Sequence, residues 1–291
     1  MPVPEEGMAA FRGRVLARGR ELYRDLPWRR DFDPYGIWVS EVMLQQTQVA
    51  RVDGRWQRWL GRFPTVDALA AASTADVLEE WQGMGYNRRA LAMREAARIV
   101  AAAGGELPRE ADELVALPGV GPATAAGIRA FAFDLPATYL ETNVRTVFLH
   151  ELMPDAEDVP DSVLRPLVEQ ACPPDATDPE DDPRTWYYAL LDYGAHLKRT
   201  LPNPSRRSRS HVRQSRFEGS RRQKRAELVR ILLEEGRGAE PPTTAELARE
   251  LDRREREAGR DPVGEPLVRD LLEALSREGF CRPAEDDKWR L

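Results

Sequence analysis

Between two stretches of helical periodicity lies Leu117-Pro118-Gly119-Val120-Gly121-Pro122-Ala123-Thr124, which constrains the fold more than any other segment. Gly119 and Gly121 can take φ > 0 without a Cβ clash, so the chain can reverse there. Pro122 lacks an N–H and suits the first turn of a following helix, where no partner is needed. The pattern predicts a tight hairpin that ends a helix over 111–117 and opens another over 122–132. The N–H groups of Gly119, Val120 and Gly121, with Thr124 in the next turn, would then face an anion such as a phosphate. An ordinary helix–helix turn uses the same residues. Some twenty residues beyond the hairpin, Glu141 sets a carboxylate at a fixed distance from it.

Almost all of the remaining chain reads as helix. Apolar spacing predicts helices over 9–23, 35–49, 54–63, 66–72, 74–82, 88–103 and 186–197, and no long alternating strand pattern occurs. Ser73-Thr74-Ala75-Asp76 has the composition of an N-cap. The expected fold class is all-α. Residues 1–200 form one helical domain, 201–222 an Arg/Ser-rich segment with little apolar content, and 223–291 an independent module. That module reads as three helices (224–235, 243–251, 265–278) and a terminal hairpin, the pattern of a winged helix.

The net charge of −6 argues against a nucleic-acid partner, but its distribution argues the other way. Acids crowd the stretch from Asp155 to Asp182, whereas Arg206, Arg207, Arg209, Arg213 and Arg216 begin a run with one acid, Glu218. A chain so divided can carry a basic face while being acidic overall. With two cysteines, Cys172 and Cys281, neither a disulfide framework nor a four-thiolate metal site can be built. No apolar run approaches a membrane span, and the first residues lack signal-peptide character, so the expectation is a cytoplasmic, nucleoid-associated protein without a membrane partner.

A second chemical candidate is Glu41, set among apolar residues in Trp38-Val39-Ser40-Glu41-Val42-Met43-Leu44-Gln45-Gln46-Thr47-Gln48-Val49. Partial desolvation would raise its pKa and let it hold a proton near neutrality, as a general acid must. A solvated helical glutamate fits the same spacing.

Pro27-Trp28-Arg29, Ser40 through Val49, Gly83-Met84-Gly85-Tyr86 and Leu117 through Gly121 occur in this order. Over roughly residues 9–200 they resemble the helix-hairpin-helix DNA glycosylases, in particular the MutY-type enzymes that act on adenine opposite 8-oxoguanine. The resemblance implies two helical subdomains with a cleft between them and a target base flipped out of double-stranded DNA. It implies that Glu41 protonates the leaving base and that Glu141 stabilises the sugar cation. It places Trp28, Arg29, Leu44 and Tyr188 in the base pocket, and Gln46 and Tyr86 in the vacated stack beside the opposite base. The hairpin would hold the phosphate backbone, in this family often through a monovalent cation, and a monomer is the default on DNA.

One contrast with bifunctional relatives and four departures from the family's pattern stand out. Ala123 stands where bifunctional relatives carry a lysine, so no Schiff base can form there and base removal without strand cleavage is expected. Glu141-Thr142-Asn143-Val144 replaces Asp-Gly-Asn-Val. Residues 194–204 hold no cysteine, so no iron–sulfur cluster or other metal is expected, and the Arg-rich segment is the candidate to present positive charge to DNA. The winged-helix-like tail stands where the family has a Nudix-like domain. Tyr188 replaces a polar residue that contacts adenine. These departures keep other targets open, namely uracil, thymine opposite guanine, 5-hydroxymethyluracil or hypoxanthine. A non-catalytic lesion-binding protein also stays open.

Overall fold

The computed structural model describes residues 5–211, 216–235 and 240–291. Among them run fifteen α-helices in chain order: α1 (Glu5–Leu22), α2 (Pro34–Leu44), α3 (Val49–Val52), α4 (Arg55–Arg62), α5 (Val66–Ala71), α6 (Thr74–Glu80), α7 (Arg88–Ala102) and α8 (Ala111–Val115) come first. There follow α9 (Pro122–Phe133), α10 (Thr142–Glu151), α11 (Asp161–Ala171), α12 (Pro183–Thr200), α13 (Arg221–Glu235), α14 (Thr244–Glu257) and α15 (Glu265–Arg277). One antiparallel pair, β1 (Arg282–Ala284) and β2 (Lys288–Arg290), closes the chain, with Arg282 opposite Arg290. The expected all-α class with a small C-terminal hairpin is what the chain adopts. No described helix is long and apolar enough to cross a membrane.

Two compact units divide the chain, and they do not follow sequence order. The first comprises residues 1–57 and 106–213, the second 58–105 and 214–291. In the first, α12 packs against α1 and α10, and α2 lies along α9. Phe11 meets Phe148 and Trp186 edge-on at 5.0 and 5.9 Å, and all three rings are buried. Such pairs add about 0.5–1.5 kcal/mol beyond their area burial. In the second, α5 packs on α7, and Trp59 meets Phe63 and Trp81 at 4.9 and 5.4 Å.

The C-terminal module lies in the second unit and has the expected three helices and hairpin. Thr243 caps α14 in a capping box with Glu246. Trp289 on β2 donates from Nε1 to Thr244 Oγ1 at 2.9 Å, which fastens the hairpin to that helix start.

The structure differs from the sequence-based expectation in three places. The helix predicted over 35–49 stops at Leu44, because Gln46 adopts a left-handed conformation (φ 52) that no α-helix tolerates. Helices α10 and α11 were not expected; α11 carries Pro166 internally, a residue that reads as a break in sequence. The Arg/Ser-rich stretch is not an open linker in its first half. Pro204–Arg207 forms a 3-10 turn, Val159 and Ser208 form a parallel bridge, and this part belongs to the first unit.

Candidate active site

The hairpin forms as its residues predict. Gly119 takes φ 78, Val120 N–H donates to the Leu117 carbonyl at 3.1 Å, and Gly121 is the N-cap of α9 with Pro122 in its first turn. Gly121 has no side-chain oxygen, so the first N–H groups of α9 have no N-cap side chain to bind. Thr124 Oγ1 is not turned outward but accepts from Gln45 Nε2 at 2.9 Å, which ties the hairpin helix to the end of α2.

Glu41 sits on α2 where that helix crosses α9. The close approach is possible because the facing residue of α9 is Gly127. A Cβ there would overlap the Glu41 carboxylate and stand 3.1 Å from the Tyr139 ring. Part of Glu41 keeps contact with the surface, yet burial pushes its pKa up to about 8. A hydrogen bond with Tyr139 pulls the other way, the Glu141 charge adds to the rise, and Arg29 opposes it. At neutral pH Glu41 therefore holds its proton.

Glu141 is fixed differently. It is the N-cap of α10, and Oε1 accepts from the N–H groups of Asn143 at 2.6 Å and Val144 at 3.2 Å. Burial raises its pKa, while Lys198 and the donors of Asn143 and Val144 hold it down. Helix N-terminal N–H groups favour the anion. Two carboxyls thus interact, Glu41 hydrogen-bonded with Tyr139 and Glu141 held by the N–H groups at the start of α10. Asn143 Oδ1 is buried with no protein partner.

The remaining pocket candidates are distributed as follows. Arg29 is buried and forms a two-pronged pair with Asp192, Nη1 to Oδ2 at 2.7 Å and Nη2 to Oδ1 at 3.0 Å. Its guanidinium lies 4.3 Å from the Tyr188 ring centroid. Tyr188 stacks flat on Phe131 at 4.5 Å, its hydroxyl is buried without a partner, and burial raises its pKa. Trp28 is buried with its ring edge-on to Trp56 at 6.4 Å. Leu44 ends α2 and is half-buried. Gln46, in the first unit, and Tyr86, in the second, both have positive φ, 52 and 47. The other non-glycine residues so placed among those described are all aspartates. A left-handed Gln or Tyr is costly and persists only where the surroundings impose it, typically at functional positions.

The basic segment is only partly available. Arg207 donates to the carbonyls of Leu149, Pro154 and Ala156 at 2.6–3.3 Å and to that of Met153, closing the end of α10. Arg209 pairs with Asp158 at 2.6 Å. Arg206 and Arg216 are exposed, and Arg213 lies outside the described residues. An iron–sulfur cluster does not fit this region. Residues 194–204 offer no thiolate, and the Arg207 guanidinium fills the bonding role at the end of α10.

Sequence reasoning did not find Tyr139, Gly127, Asn143 or Asp192. Gly127 had a signal, a lone glycine inside an otherwise regular helix. Tyr139 had only its place two residues before Glu141.

Comparison with known proteins places the sequence and the fold. Residues 39–174 match the HhH-GPD superfamily of base excision DNA repair proteins. The adenine DNA glycosylase of Mycolicibacterium smegmatis is 41% identical over 175 residues, 59% of this chain and 58% of that protein. The human adenine DNA glycosylase is 43% identical over 150 residues, 48% of this chain and 28% of that one. The chain thus spans about half, or less, of the length of the relatives it matches. Among solved structures, a thermostable thymine-DNA glycosylase superposes with TM-score 0.57 at 22% identity, covering 75% of this chain and 94% of that one. A DNA-trapped endonuclease III gives 0.53 at 17%, covering 75% and 93%, and both share the fold. Residues 39–174 thus match the HhH-GPD superfamily of base excision DNA repair proteins, and the chain is similar over about half its length to adenine DNA glycosylases.

Proposed function

We propose that this chain is a monofunctional DNA N-glycosylase that removes adenine opposite 8-oxoguanine from double-stranded DNA. One observation carries the reading: a carboxyl raised to about 8, Glu41, shares a site with a carboxylate pinned at a helix N-terminus, Glu141. Glycosidic hydrolysis needs that division of labour. The base must leave with a proton, and the sugar ring that loses it gains positive charge.

Glu41 gives its proton to the leaving purine, and Tyr139 steers the carboxyl through their hydrogen bond. As the C1′–N bond breaks, the electron pair goes to the base and the sugar becomes cationic. Glu141 stabilises that cation from its anchored position. Asn143 Oδ1, buried and unpartnered, accepts a hydrogen bond from the attacking water, whose oxygen bonds to C1′ and whose proton passes to a carboxylate. An abasic site remains, and the strand stays intact because Ala123 offers no amine. The hairpin holds the backbone phosphate through its N–H groups. Trp28, Leu44 and Tyr188 bound the base, with Arg29 behind the Tyr188 ring. No cluster is required, and the chain acts as a monomer.

The test is a panel of duplexes, each with one adenine, uracil, thymine, 5-hydroxymethyluracil or hypoxanthine, scored for abasic sites by alkali. Preferred excision of adenine opposite 8-oxoguanine is expected. Excision of another base keeps the chemistry and moves the substrate. Tight binding with no turnover anywhere would leave a lesion-binding protein.

A further inference from the structure

The second unit places the C-terminal module against the loop that carries Tyr86. That loop is shaped by Gly83 (φ 79) and Gly85 (φ 70), and it leaves the Tyr86 ring 42% exposed. Two guanidinium groups flank the ring. Arg89, from α7, donates to the Met84 and Gly85 carbonyls at 3.2 and 3.0 Å and lies 5.5 Å from the ring centroid. Arg222, from the first turn of α13, donates from Nη1 to Tyr86 Oη at 3.1 Å and lies 6.0 Å from the same centroid. A second tie joins the parts: Glu278, just past α15, pairs with Arg225 at 2.6 Å and Arg88 at 3.6 Å.

With 42% of Tyr86 exposed, its ring is held by the two guanidinium groups rather than by an apolar core. The Arg222 bond fixes the ring's direction at its hydroxyl end, from the C-terminal module. A fixed aromatic wedge beside the exposed Arg222 and Arg88 suits duplex DNA, since the ring can enter a base step while the cations meet phosphate.

We propose that the C-terminal module and the Tyr86 loop form one duplex-DNA surface, in which Arg222 is a positioning residue for the Tyr86 wedge and sets how strongly excision depends on the opposite base. The proposal rests on the glycosylase reading for its second half. The first half, a shared DNA surface, stands on the contacts alone. The module's role is then recognition of the intact strand through Tyr86 rather than packing.

The experiment uses the full chain and a duplex with 2-aminopurine beside 8-oxoguanine in the strand that is not cut. A non-cleavable 2′-fluoro-adenosine occupies the target position. Wild type should raise the 2-aminopurine fluorescence as the wedge unstacks its neighbour, and Tyr86→Ala should abolish the rise. Arg222→Ala should lose at least half of it, Tyr86→Phe should reproduce that loss from the other side of the bond, and Arg222→Lys should restore part. Combining Arg222→Ala with Tyr86→Phe should add nothing further. On cleavable duplexes, the rate ratio for 8-oxoguanine over cytosine opposite adenine should fall about tenfold in Arg222→Ala, the weight of one hydrogen bond to a charged group.

Additive losses in the double variant would overturn the proposal. So would an Arg222→Ala defect that changes only the salt dependence of binding, which marks an ordinary phosphate contact. An unaltered fluorescence rise and rate ratio in Tyr86→Phe would do the same. If wild type excises from no duplex, the glycosylase reading falls, while the fluorescence arm still decides the surface.

Discussion

At the scale of single residues, Glu41 has a pKa that commits it to one role. It is protonated below about 8, so single-turnover excision should hold through neutral pH and fall about tenfold per unit above 8. Stability carries the same signature with a definite sign. Between its ordinary 4.5 and about 8, the folded chain keeps a proton that the unfolded chain has released. Stability therefore falls as pH rises through that window. Glu41→Gln removes the liability, and at pH 9 it should unfold at higher denaturant than wild type, by roughly 1–3 kcal/mol, while losing excision. A variant less stable than wild type at pH 9 would place Glu41 in water. Gly127 is the other decisive residue. Alanine is the better helix former by about 1 kcal/mol, but its Cβ would collide with the Glu41 carboxylate. Gly127→Ala should cut excision at least a hundredfold, lower stability by about 1–3 kcal/mol, and leave duplex binding near wild type. Unimpaired excision would mean that Glu41 works from elsewhere.

At the scale of elements, helix α10 binds its capping residue to the chemistry. Glu141 accepts from two N–H groups at the helix start, which anchors its carboxylate. Glu141→Gln keeps an acceptor for those groups and removes the charge, so the melting temperature should shift little while excision drops a hundredfold or more. Equal loss of both would make the residue a cap alone. These elements also show what can be read from sequence. The hairpin and α9 were legible because Gly119 and Pro122 act locally, through φ and a missing N–H. The end of α2 was not, because the turn at Gln46 has no glycine or proline to announce it. Tyr139 and Asp192 were invisible for a related reason. Their roles come from partners about a hundred residues or more away, Glu41 and Arg29, and spacing along the chain carries no such information. The Arg29–Asp192 pair is buried on both sides. Asp192→Ala, by stranding the guanidinium, should cost roughly 3–5 kcal/mol, read by chemical unfolding.

At the scale of the whole molecule, a chain of net charge −6 can still present a basic face because its charges are segregated. Composition alone pointed away from nucleic acid; position pointed toward it. The order of the compact units was not legible, since residues 58–105 group with a module that begins more than a hundred residues later. Contacts such as Arg222 with Tyr86 create that grouping, and no local pattern announces them. Arg207 closes the end of α10 through the carbonyls of Leu149 and Met153, with no thiolate in residues 194–204. Protein made in iron-depleted medium should match iron-replete protein in melting temperature and excision, whereas a loss in either would mean that a metal supports the fold. The most direct measurement is single-turnover cleavage of a duplex with one adenine opposite 8-oxoguanine, by wild type and Glu41→Gln, read with and without alkali. Wild type should yield strand breaks only after alkali, and Glu41→Gln should yield none above background while still binding the duplex. Full excision by Glu41→Gln, or no excision by wild type, would contradict the role assigned to Glu41.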